Sequence, residues 1–210
     1  MNDMSDMNIK QHLIQVTKQA YADKMFAATS GNLSIYDRES GMMYITPGSY
    51  PYEIMTAEDV MVIDLDGNIL DGPHRPSSEW RMHAAVYRAH EEVNAIVHTH
   101  SPYATAFAIN NVRIPVVLYE MVYFLGGDIP LAEGAIPGNP EVGENAVKVL
   151  GDRYGCLMAN HGALAIGDTL DRAYTRAVYI EDAAKAYSLA LTHGPVHVVE
   201  NETVRRILNK

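Results

Sequence analysis

Two histidines close the apolar run Ala95-Ile96-Val97-His98-Thr99-His100. The run is rich in β-branched residues and reads as a strand. Side chains alternate faces along a strand, so His98 and His100 point the same way, their Cα atoms about 6–7 Å apart. Two imidazoles so placed can converge on one ion, and imidazole suits zinc. A catalytic zinc site takes three or four protein ligands and keeps a position open for substrate. The plain alternative is a strand with two partly exposed histidines, so other ligands must come from elsewhere. His161 is one candidate. It follows the strand-like run Cys156-Leu157-Met158-Ala159, inside the turn Asn160-His161-Gly162.

A carboxylate, Glu79, stands beside Ser77 and Ser78 at the start of a helical pattern. A serine pair there reads first as a cap. The same helix end also suits a phosphate, because unpaired N–H groups and the helix dipole point at it. Thr29-Ser30-Gly31-Asn32 offers a second such place. It reads equally as a helix cap with a turn, or as a backbone concavity whose N–H groups and Asn32 amide hold an anion.

The elements that must position these groups follow from periodicity. Residues 8–27 have helical spacing, with Ile9, Leu13, Ile14, Val16, Ala20 and Tyr21 on one face. Leu33–Tyr36 and Met42–Ile45 read as a hairpin, Val60–Asp64 as a strand, and Asp66-Gly67-Asn68 as a turn. A helix is expected from about 79 to 90 with Ser77 or Ser78 as its cap. Further helices are expected over 101–109, 141–151 and 168–192, with a strand over 163–167. Ile114–Val117 reads as extended, Tyr119–Tyr123 leads to a Gly126-Gly127 break, and the last 18 residues carry no clear pattern.

About half of the 210 residues are apolar and a fifth charged, as in ordinary globular proteins. With no repeat, low-complexity linker or charge block, one domain over 1–210 is expected. The net charge of −10 argues against a broad nucleic-acid surface. It leaves room for an anionic small substrate. No run approaches a membrane span, and Met1–Lys10 lacks a signal-peptide core. With a single cysteine, Cys156, these features lead us to expect a cytoplasmic protein with no membrane partner.

Taken in order, Ser30-Gly31-Asn32-Leu33-Ser34, Ser77-Ser78-Glu79, His98-Thr99-His100-Ser101 and Asn160-His161-Gly162 resemble the class II aldolase/adducin family. The likeness covers roughly residues 8–190. It implies an α/β fold, a three-layer α/β/α sandwich with a central, largely antiparallel sheet. It also implies zinc, or another divalent metal, in sites at the interfaces of a homotetramer. By motif match, His98, His100 and His161 are metal ligands, and Glu79 is both ligand and catalytic base. Gly31, Asn32, Ser77 and Ser78 match phosphate-cradling positions, and Tyr119 matches a proton donor that reaches a neighbouring subunit's site. The loop Thr46-Pro47-Gly48-Ser49 swaps the family's usual hydroxyl and glycine, yet keeps both, so Gly48 and Ser49 join the phosphate contacts.

The implied reaction is reversible cleavage of a ketose 1-phosphate, of the L-fuculose 1-phosphate kind, to dihydroxyacetone phosphate and an aldehyde. The metal acts as Lewis acid, and no lysine Schiff base is needed. An aromatic of the fuculose-type enzymes is replaced by Pro137 or a neighbour, and their C-terminal tyrosine has no partner in Asn201–Lys210. A 5-deoxypentulose or methylthiopentulose 1-phosphate is therefore an alternative substrate. The 4-epimerase branch typically has aspartate where Glu79 stands, so glutamate favours the aldolase. An adducin-like module without catalysis is disfavoured by the intact ligand set.

Overall fold

The computed structural model describes residues 3–209, with side chains from residue 6. Residues 1, 2 and 210 of the expected 1–210 unit lie outside the described residues.

Among the described residues, eight strands form one sheet: β1 (Asn32–Asp37), β2 (Met42–Ile45), β3 (Met61–Ile63), β4 (Ile69–Asp71), β5 (Ala95–Thr99), β6 (Leu131–Ala132), β7 (Gly155–Met158) and β8 (Gly162–Gly167). Their order is β4-β3-β2-β1-β5-β8-β7-β6. Every pairing is antiparallel except β6 with β7, so the sheet is mixed but largely antiparallel. The central strands are buried on both faces, which explains runs such as Ala95–Val97 that are apolar throughout.

Alternation divides those strands between two cores. Leu33, Val97, Ala163 and Ala165 face one cluster; Ile96, Leu164, Ile166, Met43 and Ile45 face the other. The first cluster is completed by α1 (Asp3–Ala22), α3 (Pro102–Ile109), α4 (Tyr119–Leu125) and α6 (Leu170–His193). The second is completed by α2 (Trp80–Ala89) and α5 (Pro140–Leu150). The result is a three-layer α/β/α sandwich. In α6, Ala173, Ala177, Ile180 and Ala184 recur at helical spacing, and the three alanines let the helix lie close to the sheet. No helix among the described residues is long and apolar enough to cross a membrane.

Several boundaries differ from the expectation. α1 ends at Ala22 rather than 27, because Lys24 and Ala28 adopt positive φ and the chain turns there. α2 begins at Trp80 with Glu79 in the capping position, two residues later than a Ser77 cap would place it. The Ser77 carbonyl accepts from Trp80 N at 3.1 Å, so the serines form the turn that leads into the helix. The short strands β4 and β6, and the C-terminal helix α7 (Asn201–Leu208), are additions to the elements expected from periodicity.

Candidate metal centre and phosphate pocket

β5 delivers His98 to the α2 face of the sheet, where its side chain is fully buried. Its Nδ1 lies 2.9 Å from the Ala163 carbonyl. A carbonyl only accepts, so Nδ1 carries the proton and Nε2 presents a lone pair. His100 follows at the end of β5, with its Nε2 3.0 Å from His98 Nε2.

His161 sits in the loop Ala159-Asn160-His161 joining β7 to β8. Asn160 takes the left-handed conformation that such a tight hairpin requires, with φ 57°. Gly162 is fixed by space: a Cβ there would meet the Thr99 carbonyl at 2.3 Å. Glycine thus lets the loop press against β5 and sets His161 beside His98 and His100, with ring centroids 4.8 and 5.1 Å away.

Glu79 reaches across from the start of α2. Its Oε2 is 3.1 Å from His98 Nε2 and its Oε1 is 3.1 Å from His161 Nε2. The Oε1 contact is close but lacks hydrogen-bond geometry, so Oε1 is a buried oxygen without a partner. Burial opposes ionisation of this carboxyl. Its contacts with the imidazoles of His98 and His161 outweigh it, holding Glu79 well below the usual carboxylate range. Burial first, and then the crowding of the neighbouring imidazoles, lowers His100 to about 4.

One ligand atom from each of Glu79, His98, His100 and His161 falls within 4.8 Å of the others. Lone pairs facing one another with an unpartnered carboxylate oxygen are costly unless a cation lies between them. Three imidazoles and a carboxylate suit zinc and similar divalent metals. The residues fit the metal.

A cavity of about 590 Å³ adjoins this group, lined among others by Gly31, Asn32, Gly48, Ser49, Ser77, Ser78, Glu79, His100 and His161. The structure therefore brings ten of the eleven singled-out residues together, if His98, buried just behind His100, is included. The eleventh, Tyr119, does not line the cavity. It opens α4 and is 57 % exposed.

The cradle differs in detail from a ring of free N–H groups. Gly48 N donates to the Arg75 carbonyl at 3.0 Å and Ser77 N to the Thr46 carbonyl at 3.1 Å, tying the two loops together. Both ends of the Asn32 side-chain amide are also engaged inward: Nδ2 donates to Glu79 Oε2 at 2.9 Å, and Oδ1 lies 2.5 Å from His83 Nε2. The Gly31, Ser49 and Ser78 N–H groups, with the serine hydroxyls, remain for an anion. Gly31 is held open by necessity, since at φ 85° a Cβ would meet the Phe26 ring at 2.6 Å and the His98 carbonyl at 2.9 Å.

Sequence reasoning missed two participants, Arg75 and His83. Arg75 is the one permanent cation among the residues lining the cavity. Pro137, expected where an aromatic of the fuculose-type enzymes stands, lines the cavity as well. His83 is fully buried behind Asn32. Its signal was its spacing, four residues and one helical turn after Glu79.

The family model for the class II aldolase and adducin N-terminal domain matches residues 11–188. The chain belongs to the class II aldolase and adducin family. A 5-deoxy-D-ribulose 1-phosphate aldolase from Bacillus thuringiensis serovar kurstaki is 32 % identical over 96 % of this chain and 94 % of its own. The 5-methylthioribulose-1-phosphate/5-deoxyribulose-1-phosphate aldolase of Rhodospirillum rubrum is 32 % identical over 98 % of this chain and 92 % of its own. The L-fuculose phosphate aldolase of Escherichia coli K12 is 36 % identical over 87 % and 84 %. A solved L-fuculose 1-phosphate aldolase superposes with a TM-score of 0.91 at 36 % identity, covering 94 % of this chain and 93 % of its own. With its ligand group assembled and aldolases as relatives along nearly the whole chain, this family member is a metal-dependent lyase of the class II aldolase type.

Proposed function

We propose that this chain cleaves a ketose 1-phosphate reversibly to dihydroxyacetone phosphate and an aldehyde, using zinc or a similar divalent metal. The observation that carries the proposal is the juxtaposition of the Glu79, His98, His100 and His161 group with a pocket bearing free N–H groups, serine hydroxyls and Arg75. Zinc bound by those four side chains would act as a Lewis acid on the substrate carbonyl and oxygens. Glu79 moves the proton at C3 of dihydroxyacetone phosphate, because its carboxylate belongs to the ligand group and also lines the cavity where the substrate would lie. Gly31, Ser49, Ser77 and Ser78 hold the phosphate, with Gly48 and Asn32 shaping the pocket around it. Binding energy at the phosphate thus orients the distant reacting carbon.

Tyr119 acts as proton donor or acceptor at the aldehyde-derived oxygen, in a neighbouring subunit of a homotetramer. Its exposure supports this, together with that of Tyr123 and Phe124 on the same short helix. The chain acts as one domain over residues 1–210, in the cytoplasm, on a phosphorylated sugar.

The fuculose-like substrate is supported by the 36 % identical relatives. A 5-deoxypentulose or methylthiopentulose 1-phosphate is favoured by two relatives matched over nearly the whole chain, and by Pro137 at a pocket wall. Zinc-loaded protein incubated with dihydroxyacetone phosphate and a panel of L-lactaldehyde, acetaldehyde and methylthioacetaldehyde separates them. Acetaldehyde would give a 5-deoxypentulose phosphate and L-lactaldehyde a 6-deoxyhexulose phosphate. Absence of any condensation product, with chelator-treated protein as control, would refute the aldolase reading. A pentulose 5-phosphate epimerised at C4 without release of an aldehyde would point to the 4-epimerase instead.

A further inference from the structure

Behind Glu79 the polar groups continue inward as a buried chain. Asn32 Nδ2 is 2.9 Å from Glu79 Oε2, and Asn32 Oδ1 is 2.5 Å from His83 Nε2. His83 Nδ1 is 2.6 Å from Ser34 Oγ, and Ser34 Oγ is 2.7 Å from the Tyr87 hydroxyl. The Tyr87 hydroxyl also donates to the Ser34 carbonyl at 3.1 Å. All five residues are buried, with His83 and Ser34 at 0 % exposure. The two elements that supply them explain the contact. Asn32 and Ser34 alternate onto the α2 face of β1, while His83 and Tyr87 lie one turn apart on α2.

The direction of each proton follows from the Glu79 end. An ionised carboxylate only accepts, so Asn32 must turn its NH₂ toward it and its carbonyl toward His83. His83 Nε2 must then donate, which leaves Nδ1 to accept from the Ser34 hydroxyl. The Tyr87 proton supplies the Ser34 oxygens. Were His83 in its other tautomer, two acceptors would meet at 2.5 Å, and the Asn32 amide would flip its oxygen against Glu79 Oε2. Each link therefore depends on the next.

We propose that His83 is a positioning residue, which through Asn32 fixes the orientation of Glu79 at the metal centre. His83 touches neither metal nor substrate. By locking the Asn32 amide it holds Oε2 on a donor and so fixes the direction in which Oε1 faces His161. The consequence for proton transfer rests on the aldolase reading given above, whereas the consequences for tautomer and metal affinity do not.

The test compares His83→Phe, which keeps a flat ring but has no donor, with His83→Gln, whose amide can donate to Asn32 and accept from Ser34. Outer partners of metal ligands are typically worth about 10–100-fold in affinity or activity. Competition titration with zinc should show His83→Phe binding the ion about tenfold or more weakly, with His83→Gln recovering most of the loss. Exchange of the C3 hydrogen of dihydroxyacetone phosphate in heavy water should follow the same order. Nitrogen-15 NMR of the wild-type histidines should show His83 neutral, with its proton on Nε2.

Wild-type zinc affinity in His83→Phe, equal loss in both variants, or a proton on Nδ1 would overturn the proposal. Should His83→Phe fail to fold, Ser34→Ala leaves the ring in place and should still mix the two tautomers. A wild-type protein that exchanges no hydrogen would refute the aldolase reading, while the zinc titration and the tautomer would still decide the role of His83.

Discussion

The ring of His98 is held by the carbonyl of Ala163 on the neighbouring strand, with Nδ1 and oxygen 2.9 Å apart. One backbone oxygen thus decides which nitrogen faces the pocket, and the register of β5 with β8 sets where it points. An outer partner of this kind fixes the tautomer and raises the basicity of a ligating imidazole. We expect one zinc per chain by elemental analysis of dialysed protein. His98→Ala should abolish stoichiometric binding. Full zinc occupancy in that variant would remove His98 from the ligand set.

Arg75 should contribute to phosphate recognition. It lines the cavity with Ser49, Ser77 and Ser78, in a chain whose net charge is −10. An exposed arginine is screened, so the lower end of the range for a charged hydrogen bond applies. Arg75→Ala is expected to raise KM for the phosphorylated ketose about tenfold with kcat little changed. Initial-rate kinetics check this, and an unaltered KM would exclude the contact.

The acid limb of stability should bear the mark of His83. Burial pushes its pKa from 6.5 to about 3, so the folded protein keeps it neutral while the unfolded chain protonates it near pH 6.5. Its contribution is complete above about pH 6.5 and is lost as pH falls from there toward 3. The loss is up to about 1.4 kcal/mol per pH unit from this one group. His100, lowered to about 4, steepens the slope in metal-free protein. Glu79, held low, contributes above about pH 4.3 and loses its share only below that. Thermal melts of metal-free protein should fall steadily below about pH 6.5, and His83→Gln should flatten the decline. A melting temperature independent of pH in that window would contradict the burial of neutral His83.

How much of this was legible depends on distance along the chain. His98 and His100 could be read because strand alternation is local, and His161 because a histidine between Asn160 and Gly162 marks a turn. The two faces of the sheet were not readable where strands are apolar throughout. β4 and β6, at three and two residues, exist through pairing with β3 and β7 rather than through any pattern of their own. α7 is short and largely polar outside, and packs through Val204 and Ile207. The Asn32–His83 contact spans 51 residues and joins a strand to a helix, so no window along the sequence contains it. For the same reason Asn32 read as a phosphate ligand, although its amide turns toward Glu79.

Tyr119 should separate bond cleavage from proton transfer at carbon. It opens a helix on which Tyr123 is 63 % exposed, a face suited to a neighbouring subunit. Light scattering should report an oligomer of the 23.2 kDa chain, and a tetramer is expected. Tyr119→Phe should slow cleavage of the ketose 1-phosphate by about 10²-fold or more. The exchange of the C3 hydrogen, which needs no aldehyde, should be little affected. A monomer in solution, or equal loss of both activities, would place Tyr119 outside this role.

The most direct test of Glu79 as the base at this metal centre is the fate of the C3 hydrogen of dihydroxyacetone phosphate in heavy water. Zinc-loaded wild-type protein should exchange one hydrogen at that carbon, read by proton NMR. Glu79→Gln, folded and with zinc still bound, should slow the exchange about 10²–10⁴-fold, the usual worth of a general base. Exchange by Glu79→Gln at close to the wild-type rate, with zinc in place, would contradict the account.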